Sequence, residues 1–289
     1  MIKKIASTLI VGISSILRPI SLLLLVITQR LAIFRFLKLE FKNEEDDIFI
    51  VTYPRSGTTL LQMVLYQLTS DGNMDFVHIS EKVPFLERIP VSKFGLEDLN
   101  SPRIFKTHLS YRSMPKVKGK YILGIRNGKD VAVSYYHHYQ NYQNYKGSFS
   151  EFLKRFLNGK VVYGSWFKHT KDWLDNPQNV QLKIVDYDKL TSDMRTTIKE
   201  IADFCDIEVN DEKLDRVIKN CSFENMKLYE DRFDHATELL IDNGVSAKKF
   251  IRKGKSGGWK DIFSDSEIKL YESKFKIVLS NYSEIFTKR

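Results

Sequence analysis

Residues 51–61, which read VTYPRSGTTLL, have the residue types of a loop that binds an anion. The apolar run before them predicts a buried strand, residues 54–57 predict a turn, and an apolar-periodic helix is predicted from residue 58 onward. Backbone amides at a helix start lack partners within the helix and lie at the positive end of its dipole, so they attract a phosphate or a sulfate. The alternative is a plain tight turn in the core. The expected contacts to the anion are the amides of Ser56, Gly57, Thr58 and Thr59 and the side chain of Arg55.

This loop lacks the Walker pattern of nucleoside triphosphatases. No glycine opens it in the required position, and no lysine follows Gly57. An ordinary P-loop ATPase, GTPase or kinase is therefore disfavoured.

A second predicted strand, residues 103–108, ends in a polar tip that contains Lys106 and His108. The two side chains alternate with the apolar ones, so they are expected to project from the same face. Ligands of parallel α/β sheets gather at the carboxyl ends of the strands, which makes His108 a candidate base. The competing interpretation is a histidine that only satisfies hydrogen bonds in the core.

A third predicted strand, residues 121–125, is followed by Arg126, and the next predicted helix carries Ser134. Arginine is a forked donor and serine offers a hydroxyl, so both are expected to reach one phosphate. The alternative is a surface ion pair between Arg126 and Asp130.

Residues 252–260 combine four basic residues with three glycines, among them Arg252, Lys253 and Gly254. Glycine lets a backbone wrap closely around a ligand, and so many cations favour a multiply charged phosphate. A solvated basic loop is the competing interpretation. The polar stretch before it, residues 230–249, is predicted to be a mobile lid.

Strands alternate with helices along the chain, which predicts an α/β fold with a parallel, doubly wound sheet. A fourth strand is predicted over residues 180–185, and helices over residues 161–174, 191–204 and 266–286. The apolar loop at residues 83–86 is expected either to line an acceptor pocket or to cap the core.

Residues 1–42 form an apolar leader with seven basic residues against the single acid Glu40. They hold most of the net charge of +9, which favours an anionic membrane surface over DNA or RNA as the partner. Arg18 and Pro19 split the apolar run into pieces shorter than the roughly 20 residues that span a bilayer. We therefore expect a leader that lies on a membrane, followed by one large domain at residues 43–289; a signal peptide or a core helix pair is the alternative.

The two cysteines, Cys205 and Cys221, are too far apart in sequence for a metal or redox motif, which fits a reducing, cytoplasmic location. Neighbouring His137 and His138 would point about 100° apart on a helix, and no carboxylate follows one turn later. No metal site is predicted.

Taken in order, these motifs resemble those of the cytosolic-type sulfotransferases over most of residues 48–265. That family transfers a sulfuryl group from 3'-phosphoadenosine 5'-phosphosulfate (PAPS) to an acceptor and releases 3'-phosphoadenosine 5'-phosphate (PAP). Residues 53–59 are similar to its 5'-phosphosulfate loop, residues 106–109 to its catalytic-base segment, and residues 126–136 to its 3'-phosphate motif. The further similar stretches are residues 83–87, 164–166, 187, 222–227 and 252–260.

The resemblance implies a P-loop-like, three-layer fold, a central parallel sheet flanked by helices, here with an added apolar helical segment at the amino terminus. It implies in-line displacement with His108 as general base, without a metal, and Lys106 and Arg55 at the sulfuryl group and the leaving oxygen. The residues implied at the 3'-phosphate and the adenosine are Arg126, Ser134, Tyr187, Ser222, Phe223, Arg252, Lys253 and Gly254.

Three positions depart from the family pattern: Arg55 replaces a lysine, Leu60 an aromatic residue and Cys221 a threonine. The short dimerisation pattern of the family is not recognisable either, so no dimer is predicted. An acceptor hydroxyl on a lipid-like or other apolar alcohol is the expected substrate. The alternative function is a nucleotide-binding or membrane-scaffolding protein of the same fold without activity.

Overall fold

The computed structural model describes residues 28, 31–91, 96, 99–115, 117–234, 251, 254 and 256–287 of the 289-residue chain. Four parallel strands form its sheet: β1 (Ile48–Thr52), β2 (Ile104–Thr107), β3 (Lys120–Ile125) and β4 (Leu182–Asp186). Their order in the sheet is β2-β1-β3-β4. Since all four run the same way, the loops that follow them meet at one edge of the sheet.

The helices connect these strands and follow the last one. In chain order they are α1 (Thr58–Thr69), α2 (Gly128–Tyr142), α3 (Phe149–Leu157), α4 (Trp166–Asp175), α5 (Tyr187–Ser192), α6 (Met194–Phe204), α7 (Asp211–Cys221), α8 (Phe223–Leu228), α9 (Asp265–Leu279) and α10 (Ser283–Thr287). Several begin at residues that cap them, such as Asn127, whose Oδ1 accepts a hydrogen bond from Lys129 N at 2.9 Å.

The core consists of two apolar clusters, one on each face of the sheet. Successive residues of β1 alternate between them: Phe49 and Val51 belong to one cluster, Ile48 and Ile50 to the other. Helices α2, α3, α4 and α9 cover the first face, and helices α1, α5, α6, α7 and α8 cover the second. The predicted three-layer α/β fold with a central parallel sheet is therefore confirmed.

The predicted helix boundaries need three corrections. Residues 161–165 precede α4 instead of belonging to it, because Ser165 caps that helix by accepting a hydrogen bond from Lys168 N. The helix predicted over residues 191–204 is two helices that meet at Asp193, whose carboxylate caps α6 through Thr196 N at 3.2 Å. The predicted last helix is broken by a 3-10 turn at Ser280–Tyr282.

Residues 36–41 pack against the sheet, although they lie before the predicted boundary at residue 43. Phe36 and Leu37 are buried in the first cluster, and the Phe41 ring packs edge-on against Phe105 at 5.4 Å. Most of the predicted leader lies outside the described residues, as do residues 235–249 of the predicted lid.

Candidate active site

The anion loop follows β1 as a tight turn that is tied to its surroundings at both ends. Ser56 N donates to Tyr53 O at 3.2 Å, and the buried Tyr53 hydroxyl donates to Gly164 O at 2.7 Å. Gly57 precedes α1 with a φ of +91°, and a Cβ atom there would lie 2.5 Å from Tyr187 Cδ2. The loop therefore requires glycine at this position for two reasons, its backbone conformation and the ring beside it.

His108 lies at the carboxyl end of β2 and its orientation is fixed by the neighbouring strand. Its Nδ1 lies 2.8 Å from Thr52 O and 3.2 Å from Thr52 Oγ1. A carbonyl oxygen only accepts hydrogen bonds, so Nδ1 carries the proton and Nε2 keeps its lone pair. The imidazole thus has the tautomer in which Nε2 can accept a proton.

The surroundings of His108 also keep its imidazole neutral. Burial and, to a smaller extent, the charge of Lys106 together lower its pKa to about 3. A neutral imidazole at neutral pH is what a general base requires.

The carboxylate of Glu87 fixes the backbone at His108. Glu87 Oε1 accepts a hydrogen bond from His108 N at 2.7 Å. Burial raises the pKa of Glu87 to about 7, against the opposing effect of its hydrogen bonds. The strand end is therefore held by a carboxyl group with almost no access to water.

Arg126 and Ser134 both lie beside the anion loop. Arg126 Nη1 donates to Arg55 O at 3.3 Å, and Arg55 Nε donates to Ser134 Oγ at 3.1 Å. Asp130, the alternative partner of Arg126, accepts from the backbone amide of Gly257 at 2.9 Å and so ties the basic glycine-rich run to α2.

Tyr187, Phe223 and Gly254 form a wall of rings and backbone farther along the same edge. The guanidinium of Arg126 lies over the Tyr187 ring, 4.4 Å from its centre. Gly254 has a φ of +61°, and any Cβ atom at this position would overlap the ring of Phe223. Ser222 Oγ caps α8 by accepting from Asn225 N at 3.2 Å.

These groups share one cavity of about 850 Å³. It brings together every predicted site residue except Ser56, which is buried behind the loop, and Arg252 and Lys253, which lie outside the described residues. Its size and its four cations, Arg55, Arg88, Lys106 and Arg126, suit a ligand that carries more than one anionic group.

The sequence did not single out three polar residues of the cavity wall: Arg88, His138 and Gln143. His138 was considered only as a metal ligand, and Arg88 follows the apolar loop at residues 83–86. Tyr163 also lines the cavity, with a φ of +70° and its ring 5.1 Å from that of His108. Neither spacing nor residue type marks these positions, because they come from segments that meet only in the fold.

The described residues include one group of carboxylates close enough to share a metal ion, formed by Glu44, Asp46 and Asp47. Arg103 pairs with two of the three, at 3.1 Å from Glu44 and 2.8 Å from Asp47. The group lies at the amino end of β1, at the opposite edge of the sheet from the cavity.

Comparison with known proteins gives concordant matches. The sequence model of the sulfotransferase domain matches residues 45–283. Sulfotransferase 1B1 of Mus musculus is 38% identical over 258 residues, which cover 83% of this chain and 85% of that protein. Sulfotransferase 1E1 of Homo sapiens is 33% identical over 238 residues, covering 78% and 80%. The crystal structure of mouse sulfotransferase SULT7A1 complexed with PAP superimposes with a TM-score of 0.69 at 28% identity, covering 87% of this chain and 90% of that one.

Proposed function

The chain belongs to the sulfotransferase domain family and transfers a sulfuryl group from PAPS, and we propose that His108 is the general base for transfer to an acceptor hydroxyl. One contact carries this proposal: the bond from His108 Nδ1 to Thr52 O, which leaves the Nε2 lone pair for the acceptor's proton. The neutral state of the imidazole supports the same role.

PAPS supplies the sulfuryl group on a phosphosulfate anhydride. The loop amides of residues 57–59 and the cations Arg55 and Lys106 would stabilise the negative charge on the leaving oxygen. His108 Nε2 would hold the proton that the acceptor oxygen gives up. These residues provide charge stabilisation and proton transfer at opposite ends of one displacement.

The rest of the cavity would hold the nucleotide and the acceptor. Arg126 and Ser134, with Arg252 and Lys253, are proposed to bind the 3'-phosphate, and Tyr187 and Phe223 to contact the adenine. Val162 lines the same cavity, which suits an acceptor with an apolar body.

Transfer of radiolabelled sulfate from PAPS to a panel of phenols, alcohols and glycolipids tests this function. We expect His108→Ala to lower kcat about 1,000-fold, since positioned bases typically contribute factors of 10² to 10⁴. Binding of PAP, measured by calorimetry, should stay unchanged. His137→Ala is the matched control, because His137 bonds Gln140 Oε1 at 3.2 Å on the outer face of α2.

Activity that survives His108→Ala would remove the proposed base. Binding of PAP without transfer to any acceptor of the panel would favour the inactive nucleotide-binding protein.

We further propose that residues 1–42 bring the enzyme to an anionic membrane surface at the cytoplasmic face. Leu31, Phe34 and Leu39 are 61%, 62% and 78% exposed, and basic side chains lie between them in sequence. No helix within the described part of the chain has the length and apolarity to cross a membrane. We propose that this segment lies on the surface as a helix.

Sedimentation with phosphatidylserine vesicles tests this attachment. Glutamate at Leu31, Phe34 and Leu39 together should abolish binding, because each substitution replaces an apolar contact with like charge. Glutamate at Val77, Leu228 and Ile277, which are equally exposed elsewhere, is the control and should leave binding intact. Equal binding of the two triple variants would refute the surface helix.

A further inference from the structure

Arg88 is a cation in the cavity wall to which the proposed mechanism gives no role. The segment before it is fastened along the open side of β2: Lys106 N donates to Pro84 O at 2.9 Å, and Phe85 forms a parallel bridge with Lys106. Arg88 N then donates to Phe85 O at 2.7 Å, which closes a turn. The position of Arg88 is thus defined by the edge of the sheet.

The Phe85 ring lies between three charged or titratable groups. Lys106 Nζ lies 4.8 Å from its centre, the guanidinium carbon of Arg88 5.2 Å, and the centre of the His108 ring 5.1 Å. Because Arg88 and His108 are each about 5 Å from the same ring, their separation is at most about twice that. An acceptor oxygen at His108 would therefore have Arg88 within the length of one small molecule.

Strand order shows that Arg88 lies away from the proposed nucleotide groups. Along the carboxyl edge, β2 lies at one end with His108, followed by β1 with the anion loop, β3 with Arg126 and β4 with Tyr187. Arg88 lies on the outer side of β2, beyond His108 in this order. It therefore belongs to the acceptor side of the base.

We propose that the acceptor carries, besides its hydroxyl, an anionic group such as a carboxylate, and that Arg88 binds it. This specificity rests on the function proposed above. An anionic acceptor must approach a highly anionic donor, and a fixed cation beside the acceptor offsets that repulsion. A guanidinium also matches a carboxylate with two parallel hydrogen bonds.

Two phenols of nearly the same shape, 4-hydroxybenzoate and 4-hydroxybenzamide, provide the test. We expect kcat/KM of the wild-type enzyme to favour the carboxylate at least tenfold. Arg88→Met should reduce that ratio to about one or below, whereas Arg88→Lys should retain part of it. Arg112→Met is the matched control, because the Arg112 side chain is 77% exposed and pairs only loosely with Asp172, at 3.9 Å.

The ratio of the two substrates separates the possible outcomes. An unchanged ratio in Arg88→Met, or an equal loss for both phenols, overturns the proposed specificity. A wild-type enzyme that sulfates neutral phenols but not the benzoate overturns it too and leaves the proposed function intact. If the wild-type enzyme transfers sulfate to no acceptor at all, this result contradicts the proposed function instead. Binding of PAP to each variant by calorimetry checks that the fold is retained.

Discussion

The two ends of the cavity are built in different ways. The nucleotide end consists of residues that directly follow strands, at residues 53–57, Arg126 and Tyr187, and its proposed phosphate ligands include the guanidinium groups of Arg55 and Arg126. At the acceptor end, residues from separate segments converge around His108, whose imidazole is buried and neutral. Removing a single charge should therefore weaken ligand binding most at the nucleotide end. Acid should act most on the buried histidine at the acceptor end.

Acid should have the largest effect of all: it should lower the stability of the folded protein. Burial lowers the pKa values of His108 and His138 to about 3 and that of His169 to about 4, so these groups bind protons only in the unfolded chain between pH 6 and 5. Glu87, with its pKa raised to about 7, binds one proton more in the folded chain and opposes them. The unfolded chain then holds nearly two extra protons, so the free energy of unfolding should fall by about 2 kcal/mol per pH unit as the pH falls.

Denaturant unfolding at several pH values measures this slope. His138→Phe removes one titrating group and should reduce the slope by about 1 kcal/mol per pH unit. A stability that does not change between pH 6 and 5 would show that these histidines are charged in the folded protein. The contrast between the two ends of the cavity would then not hold.

At the nucleotide end, Arg126→Met should weaken PAP binding about 30- to 100-fold. The guanidinium is the predicted 3'-phosphate ligand, and a charge-assisted hydrogen bond of this kind is worth roughly 2–3 kcal/mol. Calorimetry with PAP and with adenosine 5'-monophosphate, which lacks the 3'-phosphate, measures the effect. An equal loss for both ligands would assign Arg126 to the adenosine or to the fold, which its contact with Tyr187 would explain.

Two glycines of the basic run provide a smaller and more specific comparison. Gly254 and Gly257 have φ values of +61° and +85°, but only at Gly254 would a Cβ atom meet a neighbour, the Phe223 ring. Both alanine variants incur a backbone cost of about 1–2 kcal/mol. Gly254→Ala should in addition weaken PAP binding roughly tenfold, and equal affinities of the two variants would show that Phe223 does not contact the nucleotide.

The smallest effect is expected at Arg55, where the family pattern has a lysine. Arg55→Lys keeps the charge and loses the hydrogen bond to Ser134, so kcat should change only about threefold. Arg55→Met removes the charge, so its kcat should be at least tenfold lower than that of Arg55→Lys. Similar losses in the two variants would show that the fork geometry, and not the charge, is what the reaction needs.

The sequence alone predicted the four strands and the strand-turn-helix unit at residues 48–61 because these are local features. An apolar run, a turn and a periodic helix are fixed by neighbours within a dozen residues, as at residues 48–61. Helix ends were less well predicted, since a capping side chain at Ser165 or Asp193 outweighs apolar periodicity.

The sequence also named Lys106, His108, Arg126 and Ser134, but only the tertiary structure decided how they relate. The order of the strands brings His108 to the Thr52 carbonyl and thereby sets the tautomer of the imidazole. The fold likewise brings Arg88 and His138 to the wall of one cavity, although 50 positions separate them in the chain. Local patterns determine elements, whereas burial and long-range contacts determine which side chains share a cavity and which charges they keep.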